Sequence, residues 1–574
     1  MTVYQSTVGT LVPPPDGLTI PEFMLDRSFL HPDSNDPSKP DWICLVDDTT
    51  GRQLRFSELR SRTGCLCAAL HEQRKISSGD IVALVSHNDI DYPVCVWAAH
   101  RLGAIVAPMS AGMTTDELAY LFKLSSPSVI IVQTESVVLA RDAAKRAGLG
   151  EYHLVIMDAN TVSDLGYPTT GSLIARGKSL APFVQPPLHP GEGKTKIAFL
   201  SFSSGTTGLP KAVCISHYNV ISNVLQVEAL NHVYDPEVKW ADKRYRPGGV
   251  CSAVLPMAHI YGLVVNLHFI IYSRMTLVVT AKFNFEKMLQ NISRFRITNL
   301  FIVPPQALLM CKHPAVQNYD LTSVHACMIA AAPISAELTQ SFLRALPSCI
   351  HLGQGYGMTE TCAAASMYPI SPKVGVLGSG GKLMPGTVAK VVKSDGTLAP
   401  TGERGELYIK GPQVTLGYYN NPAATNETFI DGWIRTGDET YFDADGNLFI
   451  VDRVKELMKV KGHQVAPAEL EGHLLGHKDV ADVAVIGLPD DFAGELPLAF
   501  IVLKPQPASE VKSDAQAQKR IRESLFKHVS TSKSSYKWLT GGIQFVESIP
   551  KSASGKILRR VLREQAVNMP RSKL

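Results

Sequence analysis

Residues 201–211, SFSSGTTGLPK, combine hydroxyls, glycines and one cation in a spacing that suits phosphate binding. The polar and glycine members are Ser203, Ser204, Gly205, Thr206, Thr207, Gly208 and Lys211. Glycines let backbone N–H groups turn towards an anion, hydroxyls add donors, and the lysine adds a point charge. The apolar run 197–200 predicts a buried strand before the loop, an arrangement typical of phosphate sites. A plain flexible loop is the alternative, and the glycine spacing does not fit a Walker A loop.

Residues 353–360, GQGYGMTE, form the second stretch with chemical potential. Three glycines at alternate positions allow a ligand to approach the end of a strand, and Tyr356 can lie flat against a purine. Thr359 can donate to a phosphate, and Glu360 can hold Mg²⁺ through a carboxylate oxygen. The glycine spacing excludes a Rossmann dinucleotide site. A glycine-rich turn inside a core is the alternative.

Four further stretches place polar side chains where they could act on a ligand. Asp438 follows a glycine in a turn, and its carboxylate can accept charge-assisted hydrogen bonds. His259 interrupts an apolar run, where a histidine is commonly a satisfied core residue. Lys556 follows a Ser-Gly turn that presents its ammonium at a loop tip. The stretches are 433–438 (WIRTGD), 451–464 (VDRVKELMKVKGHQ), 255–262 (LPMAHIYG) and 549–560 (IPKSASGKILRR).

Length and composition indicate a multidomain globular protein. The chain has 574 residues, of which 45% are hydrophobic and 19% charged, and two to four domains are expected at this size. A net charge of +4 argues against a dedicated nucleic-acid-binding protein. The ten cysteines contain no Cys-x-x-Cys pair, which favours buried thiols in a reducing compartment over a disulfide or zinc framework.

Apolar runs that alternate with helical patterns predict parallel sheets flanked by helices. Residues 1–40, rich in Pro, Asp and Ser, predict an irregular lead-in instead. The apolar stretch 260–279 includes polar residues and predicts a buried strand–helix region rather than a membrane span. The first-half runs are strands at 81–85, 105–108 and 129–132 and helices at 92–102 and from 114.

The character of the chain changes twice after residue 395. Residues 396–450 contain short strand-like runs between Gly, Asp and Asn turns, which predicts a small β-rich unit. A lysine-rich α+β segment then follows a boundary at 452–456. Its elements are a helix at about 466–475 and strands at 480–487 and 499–503.

Taken together and in this order, the motifs from 201 to 560 resemble those of the adenylate-forming superfamily, in particular acyl-CoA synthetases and 4-coumarate–CoA ligases. The resemblance implies an α/β fold with a large N-terminal domain of parallel sheets flanked by helices, a small β-rich subdomain and a mobile α+β C-terminal domain. It implies domains at 1–452 and 457–574 with a hinge at 453–456. It also implies ATP, Mg²⁺ and CoA as reactants in the conversion of a carboxylic acid into an acyl-AMP and then an acyl-CoA.

The resemblance also implies roles for individual residues. Asp438 would bind the ribose hydroxyls, Lys455 would be the hinge residue, and Lys556 would bridge the carboxylate and the α-phosphate. The implied catalytic residues are Lys556, His259, Lys459 and Gln464, and Glu360 would bind the metal. Implied ATP or AMP contacts are Ser203, Ser204, Gly205, Thr206, Thr207, Lys211, Gln354, Gly355, Tyr356, Thr359, Asp438, Arg453, Lys455, Lys459, Gln464 and Lys556. Implied CoA contacts are Lys282, Lys461 and Gly462. The implied acyl pocket comprises Tyr261, Gly262, Ala330, Ala331, Gly355, Ala363 and Ala364.

The small side chains of this implied pocket predict a roomy, apolar site without an obvious polar group to recognise a ring substituent. Medium-chain fatty acids, arylacetic or cinnamic-type acids and secondary-metabolite acids all fit that expectation. Three other functions stay open: a luciferase-like monooxygenase, a stand-alone adenylation enzyme that loads a carrier protein, and a non-catalytic lipid-binding protein.

The terminal tripeptide Ser572-Lys573-Leu574 matches an address read by the peroxisomal import receptor. The sequence therefore predicts a peroxisomal location, for acyl activation in β-oxidation or in a secondary-metabolite pathway.

Overall fold

A computed structural model describes most of the chain, and several predicted residues lie outside it. The described residues are 2–26, 41–74, 76–150, 152–159, 164–203, 210–330, 334, 336–461, 463–490, 492–551 and 556–567. The predictions outside these ranges concern Ser204, Gly205, Thr206, Thr207, Ala331, Gly462 and the tripeptide 572–574.

The described strands fall into four sheets. They are β1 (Val3–Gln5), β2 (Ile43–Asp47), β3 (Gln53–Arg55), β4 (Ile81–Ser86), β5 (Ile105–Ser110), β6 (Val129–Val132), β7 (His153–Ile156), β8 (Ile197–Ser203), β9 (Lys211–Ser216), β10 (Val250–Ala253), β11 (Thr276–Val279), β12 (Asn299–Ile302), β13 (Ala326–Ile329), β14 (His351–Met358), β15 (Ala363–Met367), β16 (Lys382–Leu383), β17 (Val388–Val392), β18 (Gly405–Lys410), β19 (Phe429–Ile430), β20 (Trp433–Phe442), β21 (Leu448–Arg453), β22 (Met458–Val460), β23 (His463–Val465), β24 (Val480–Asp490), β25 (Gly494–Leu503) and β26 (Gly542–Phe545).

The described α-helices connect these strands, and a wider helical segment, Tyr261–Phe269, runs directly into the seventh of them. They are α1 (Phe56–Arg74), α2 (Tyr92–Arg101), α3 (Thr115–Ser125), α4 (Val137–Ala147), α5 (Thr170–Gly177), α6 (His217–Asn231), α7 (Ile270–Tyr272), α8 (Phe285–Phe295), α9 (Pro304–Lys312), α10 (Ala336–Ala345), α11 (Pro422–Thr428), α12 (Pro467–Leu475), α13 (Pro505–Ser513), α14 (Ala515–Ser530) and α15 (Arg559–Val567).

Two large, mostly parallel sheets form the body of the protein. The first has the strand order β7-β6-β4-β5-β8-β9, and the second has the order β16-β15-β14-β13-β12-β10-β11-β2-β3. Alternate residues of β4 face different cores: Val82 and Leu84 pack with α2, whereas Ala83 and Val85 pack with α3 and α4. Because successive strand residues point to opposite faces, helices cover both sides of this sheet. The predicted parallel α/β architecture is confirmed.

Helix boundaries in the first half follow from capping residues in the sequence. Thr114 precedes α3, its hydroxyl accepts from the backbone N–H of Glu117, and the Glu117 carboxylate accepts from the N–H of Thr114 at 2.7 Å. This reciprocal capping box satisfies donors that the first helical turn would otherwise leave unpaired. The predicted helix from residue 114 is therefore confirmed.

The predicted β-rich unit is a third, antiparallel sheet with the order β1-β17-β18-β20-β19 and with β21 beside β20. Its first strand corrects the prediction that residues 1–40 form only an irregular lead-in. Val3, Tyr4 and Gln5 pair with Lys390, Ala389 and Val388. The Tyr4 ring stacks on Phe442 at 4.0 Å between ring centroids. A contact between residues far apart in the sequence therefore stabilises this strand, and no local sequence pattern predicts it.

The fourth sheet belongs to the C-terminal domain and has the order β23-β22-β25-β24, with β26 beside β25. Its hydrophobic core joins the sheet to α12 and α14. The third sheet ends with Arg453 and the fourth begins with Met458, so residues 454–457 lie between them. All ten cysteines are free thiols and eight are buried. Within the described ranges, no helix is long and apolar enough to cross a membrane.

Three histidines are buried in the layer between the two large sheets. His100 in α2, His217 at the start of α6 and His268 are each 0% exposed. The indole N–H of Trp97 donates to Nε2 of His268 at 3.1 Å, so the proton of that imidazole lies on Nδ1, within 2.7 Å of the Leu263 carbonyl oxygen. Burial lowers the pKa of His100 to about 3 and of His268 to about 4, and lowers that of His217 as well. All three are neutral in the folded protein near pH 7.

These histidines should make the fold sensitive to mild acid. Each pKa is lower in the folded than in the unfolded chain, so the unfolded chain binds more protons below about pH 6.5. The free energy of unfolding therefore decreases as the pH is lowered. Between pH 7 and pH 5, His100 and His268 should each cost about 2 kcal/mol of unfolding free energy. The glutamine in His268→Gln stays neutral at every pH. This variant should therefore take up about one proton fewer on unfolding, which makes the unfolding free energy measured with denaturant less dependent on pH. His153→Gln, an exposed histidine at the start of β7, is the control, and an unchanged slope in His268→Gln would contradict the interpretation.

Candidate active site

The end of β14 and the middle of β20 meet at a buried carboxylate. Asp438 is 4% exposed, and the hydroxyl of Tyr356 donates to its Oδ2 at 2.6 Å. Arg453, paired in register with Asp438 across β20 and β21, places Nε 3.4 Å from Oδ1. Burial raises the pKa of Asp438, while the Arg453 charge and the tyrosine hydrogen bond oppose the rise. A half-buried aromatic ring, a carboxylate and a guanidinium therefore share one cleft.

A second tyrosine links the loop lysine to the predicted metal ligand. Lys211 begins β9, and its Nζ lies 4.7 Å from the ring centroid of Tyr418. The Tyr418 hydroxyl donates to Oε1 of Glu360 at 2.8 Å. Burial and the Glu360 charge raise the pKa of Tyr418, so its hydroxyl keeps its proton. Tyr418 was not predicted as a site residue, because it lies far from both partners in the sequence.

The donor set around Glu360 is compatible with Mg²⁺. Glu360 is 5% exposed and Oε1 is held by Tyr418. Among the described residues, no group of three or more His, Cys, Asp or Glu could hold a metal ion. Magnesium commonly binds one or two protein carboxylates and completes its shell with water and substrate phosphates. One buried carboxylate held by a tyrosine fits that requirement.

Lys556 of the C-terminal domain reaches this N-terminal cleft. Burial and the Arg453 charge lower its pKa, and the negative charges of Glu456 and Asp438 oppose that change. His259 is close enough for Lys556 to help burial lower the pKa of His259 to about 4. The imidazole is therefore neutral near pH 7, and its Nδ1 accepts from the backbone N–H of Tyr261 at 3.3 Å. The structure thus brings together predicted site residues from both domains.

A buried ion cluster fixes the segment that carries Lys556. Arg559, three residues further on, contacts Glu456 at 2.5 Å and both carboxylate oxygens of Glu471 at 2.8 and 2.9 Å. All three side chains are at most 12% exposed. Glu456 belongs to the predicted hinge, so this cluster ties the hinge, α12 and the lysine-bearing segment into one unit. In the sequence, Arg559 is only one member of a basic run, and nothing there predicts its buried ion pairs.

The hairpin β22–β23 lies outside the cleft in this arrangement. Lys459 and Gln464 pair across the hairpin and are exposed, as are Lys455 and Lys461. The described residues form no hydrogen bond or ion pair between these four side chains and the N-terminal domain. The domain presents its Lys556 side to the cleft here, and the contacts of Lys459 and Gln464 with an adenylate stay a prediction. Lys282 is also exposed, and its charge lowers the pKa of His87 together with burial.

Two glycines of the predicted acyl pocket serve packing rather than open space. A Cβ on Gly262 would collide with the carbonyl of Pro256, so the helical segment 261–269 packs against backbone there. A Cβ on Gly355 would lie 2.5 Å from the Met328 methyl group. At these two positions the missing side chain allows close packing, and the roomy pocket stays a prediction. Met328 occupies the room beside Gly355.

The remaining described pocket residues form a buried wall. Ala330 lies two residues after Met328 at the end of β13, and Tyr261 donates to the Met328 carbonyl at 3.3 Å. Ala363 and Ala364 are buried, and Asn223 bonds the backbone of Ala364. Met328 was not predicted as a pocket residue. Its position two residues before Ala330 could have indicated it, because residues two apart on a strand point to the same face.

Three predicted nucleotide residues lie in the protein interior, in a turn or at the end of a strand. The Gln354 side-chain oxygen accepts from the backbone N–H of Ile334 at 3.0 Å, so the amide braces that neighbouring segment. Thr359 lies in the helical turn Thr359–Thr361, directly before Glu360. Ser203 is the last residue of β8 and pairs with Lys211 across the base of the loop.

Known proteins resemble this chain over most of its length. Residues 33–419 match the family described as AMP-binding enzyme, and 469–556 match the AMP-binding enzyme C-terminal domain. The 4-coumarate–CoA ligase 2 of Oryza sativa subsp. japonica is 37% identical over 542 residues, covering 91% of this chain and 90% of that protein. Acyl-CoA ligase AFT1-1 of Alternaria alternata is 33% identical over 591 residues, covering 98% and 97%. The crystal structure of the anthranilate CoA ligase AuaEII with anthranoyl-AMP is 25% identical, with a TM-score of 0.81 and coverage of 96% and 98%.

Glu456→Gln should loosen the placement of Lys556 while the fold survives, because Glu471 still pairs with Arg559. The pKa of His259, read by NMR, should then rise, since the Lys556 charge helps to lower it. Lys556→Met should raise the same pKa and gives the upper reference. Glu564→Gln, which alters the exposed pair with Arg560, is the control. An unchanged His259 pKa in Glu456→Gln would show that the ion cluster does not position Lys556.

Proposed function

The chain belongs to the AMP-binding enzyme family, and we propose that it is an AMP-forming acid–CoA ligase. The observation that carries the proposal is the reach of Lys556 into a cleft that already contains Asp438, Arg453 and His259. An acid, a nucleotide and a mobile cation can meet there. The names of the similar proteins, among them 4-coumarate–CoA ligases and acyl-CoA ligases, support the same reaction.

In the first step, a carboxylate oxygen attacks the α-phosphorus of ATP. A new P–O bond forms, the bond to pyrophosphate breaks, and an acyl-AMP results. Two anions approach each other, so fixed positive charge and donors must stabilise the transition state. Lys556 supplies the cation on the acid side and Lys211 that on the phosphate side. Asp438 holds the ribose, and neutral His259 lies beside the acid without adding charge.

Mg²⁺ on Glu360 and the phosphate oxygens would neutralise charge on the leaving pyrophosphate when bound. The residues of the chain determine how that carboxylate is held. Tyr418 donates to one oxygen of Glu360 and leaves the other available. The same ring lies beside the Lys211 ammonium. The tyrosine therefore lies between the lysine and the carboxylate, which we expect to face the phosphates of ATP from two sides.

In the second step, the sulfur of CoA attacks the acyl carbon, the thiol proton is released, and the C–O bond to AMP breaks. We infer that the C-terminal domain turns about 453–456 between the steps. This would exchange the Lys556 side for the exposed hairpin with Lys459, Lys461 and Gln464. The exposure of that hairpin in the present arrangement supports the inference.

The proposed acid is medium-chain, arylacetic or cinnamic-type, or a secondary-metabolite acid. The buried wall of Tyr261, Met328, Ala330 and Ala363 supports an apolar substrate. The proposed location is the peroxisome, reached through the import receptor, and it rests on the tripeptide 572–574.

A screen of acids tests the proposed function directly. Purified protein with ATP, Mg²⁺ and CoA should release AMP in the presence of some aliphatic or aromatic acids and not without acid. Labelled pyrophosphate should exchange into ATP with the same acids when CoA is omitted. Absence of acid-stimulated exchange across the panel would refute the proposal. Release of AMP only with a carrier protein would assign a different acceptor.

Lys556→Ala should separate the two half-reactions. Acid-dependent pyrophosphate exchange should fall at least about 10²–10³-fold, the scale of losing one preorganised donor. Thioester formation from supplied acyl-AMP should change far less, because Lys556 serves only the first step. Lys551→Ala, which breaks an ion pair with Asp482 in the same segment, controls for general damage. Equal loss of both half-reactions would contradict the assigned role.

A further inference from the structure

A fully buried arginine at the amino end of the second large sheet has no carboxylate partner among the described residues. Arg244 is 0% exposed, and its guanidinium donates to uncharged oxygens: the Asn231 side chain at 2.7 Å and the carbonyls of Tyr368 and Pro369. The guanidinium carbon lies 3.7 Å from the centroid of the Tyr368 ring. The Nε–H of Arg244 has no hydrogen-bond partner in the described ranges. Buried charges are normally paired, because an unpaired charge is costly to desolvate.

A second unsatisfied side chain lies on the same face of this sheet. His351, the first residue of β14, is 0% exposed, and neither of its ring nitrogens has a hydrogen-bond partner in the part of the chain that the structure describes. His351 and Gly353 point to one face, because side chains two residues apart on a strand do so. The Tyr368 ring covers that face, since a Cβ on Gly353 would lie 2.2 Å from the ring. Arg244 packs on the same ring, so the guanidinium and the imidazole are neighbours.

The surroundings of His351 carry an excess of positive charge. Burial lowers the pKa of His351 to about 3, so the imidazole is neutral near pH 7. The nearby side chains that favour its neutral form further are Arg244, His325, Lys373 and Arg246. The Asp242 carboxylate also lies near His351, but it is already paired with Lys373 at 2.8 Å, and both members of that pair are about half exposed. The neutral imidazole can therefore donate one N–H within a positive field.

We propose that a chloride ion, or another small monovalent inorganic anion, binds between Nε of Arg244 and the imidazole of His351. The anion would supply the counter-charge of the buried guanidinium and accept one hydrogen bond from each side chain. Buried polar groups without a protein partner are commonly satisfied by a bound ion or water, and the positive field favours an anion over water. A phosphate has more acceptor positions than these two donors can satisfy, so the donor count favours a halide.

The proposed anion would connect segments that support the site from below. The backbone carbonyl of Arg244 accepts from the Asn299 side chain at 2.9 Å and from Nε2 of His325 at 2.9 Å. The ion would therefore join this segment to the amino ends of β12, β13 and β14. The other end of β14 carries Tyr356, which donates to Asp438. We therefore assign the anion a structural role at the base of a strand that reaches the cleft.

Thermal unfolding of the full-length protein tests the site, with sodium chloride replaced by sodium gluconate at constant pH and ionic strength. Gluconate is too large for a buried two-donor site. A chloride concentration about a hundred times the dissociation constant should raise the unfolding midpoint by roughly 2–3 °C. His351→Leu removes one donor and should lose this response. His268→Leu is the matched control, because His268 is equally buried but has both ring nitrogens engaged with protein, and it should keep the response.

An equal midpoint in chloride and gluconate, or an unchanged chloride response in His351→Leu, overturns the inference. A second measurement does not depend on the folding of a variant. In crystals of the unchanged protein grown with bromide, an anomalous peak should lie within hydrogen-bond distance of Nε of Arg244 and a ring nitrogen of His351, and the absence of a peak there overturns the inference as well. Neither measurement uses an acid, ATP or CoA, so the result is independent of the proposed function.

Discussion

The arrangement of the site depends on one buried ion cluster, in which Arg559 bridges Glu456 and Glu471. Two buried carboxylates without this guanidinium would be costly to desolvate, and so would the guanidinium without them. The cluster therefore holds only when the hinge segment, α12 and the start of α15 are all in place. Lys556 lies three residues before Arg559, so its position follows from the cluster. Burial lowers the pKa of Lys556, while the negative charges of Glu456 and Asp438 oppose that change.

In the candidate site, a tyrosine hydroxyl donates a hydrogen bond to each of two carboxylates. Tyr356 donates to Asp438, and Tyr418 donates to Glu360. A tyrosine hydroxyl orients a carboxylate without neutralising it, so each acid keeps its charge for a ligand. Arg453 and Lys211 then add positive charge beside the first and second pair respectively. Ribose hydroxyls at one carboxylate and a metal ion at the other would find their partner oriented before they bind.

The sequence predicted the local features well and the long-range ones poorly. Strands such as 81–85, the capped helix after Thr114 and the α/β class follow from periodicity and capping, which are local. The contacts of Tyr418 and Arg559 join segments far apart in the chain, and no periodic signal marks them. Gly262 shows another limit of sequence reasoning: a glycine alone does not tell space for a ligand from a close backbone contact, and here it allows the close approach of Pro256. The roles of the individual site residues stay predictions, and several of them lie outside the described ranges.

The short strand β1 is the edge of the third sheet and covers β17, leaving only three residues as the open margin. Val3, Tyr4 and Gln5 cover the hydrogen-bonding side of β17 that β18 does not use, and Tyr4 is held by Phe442. An uncovered sheet margin is a template on which a strand from another molecule can assemble. Shortening the beginning of the chain by a few residues would therefore leave the catalytic groups in place and yet favour aggregation, so solubility rather than turnover is the property that these first residues protect.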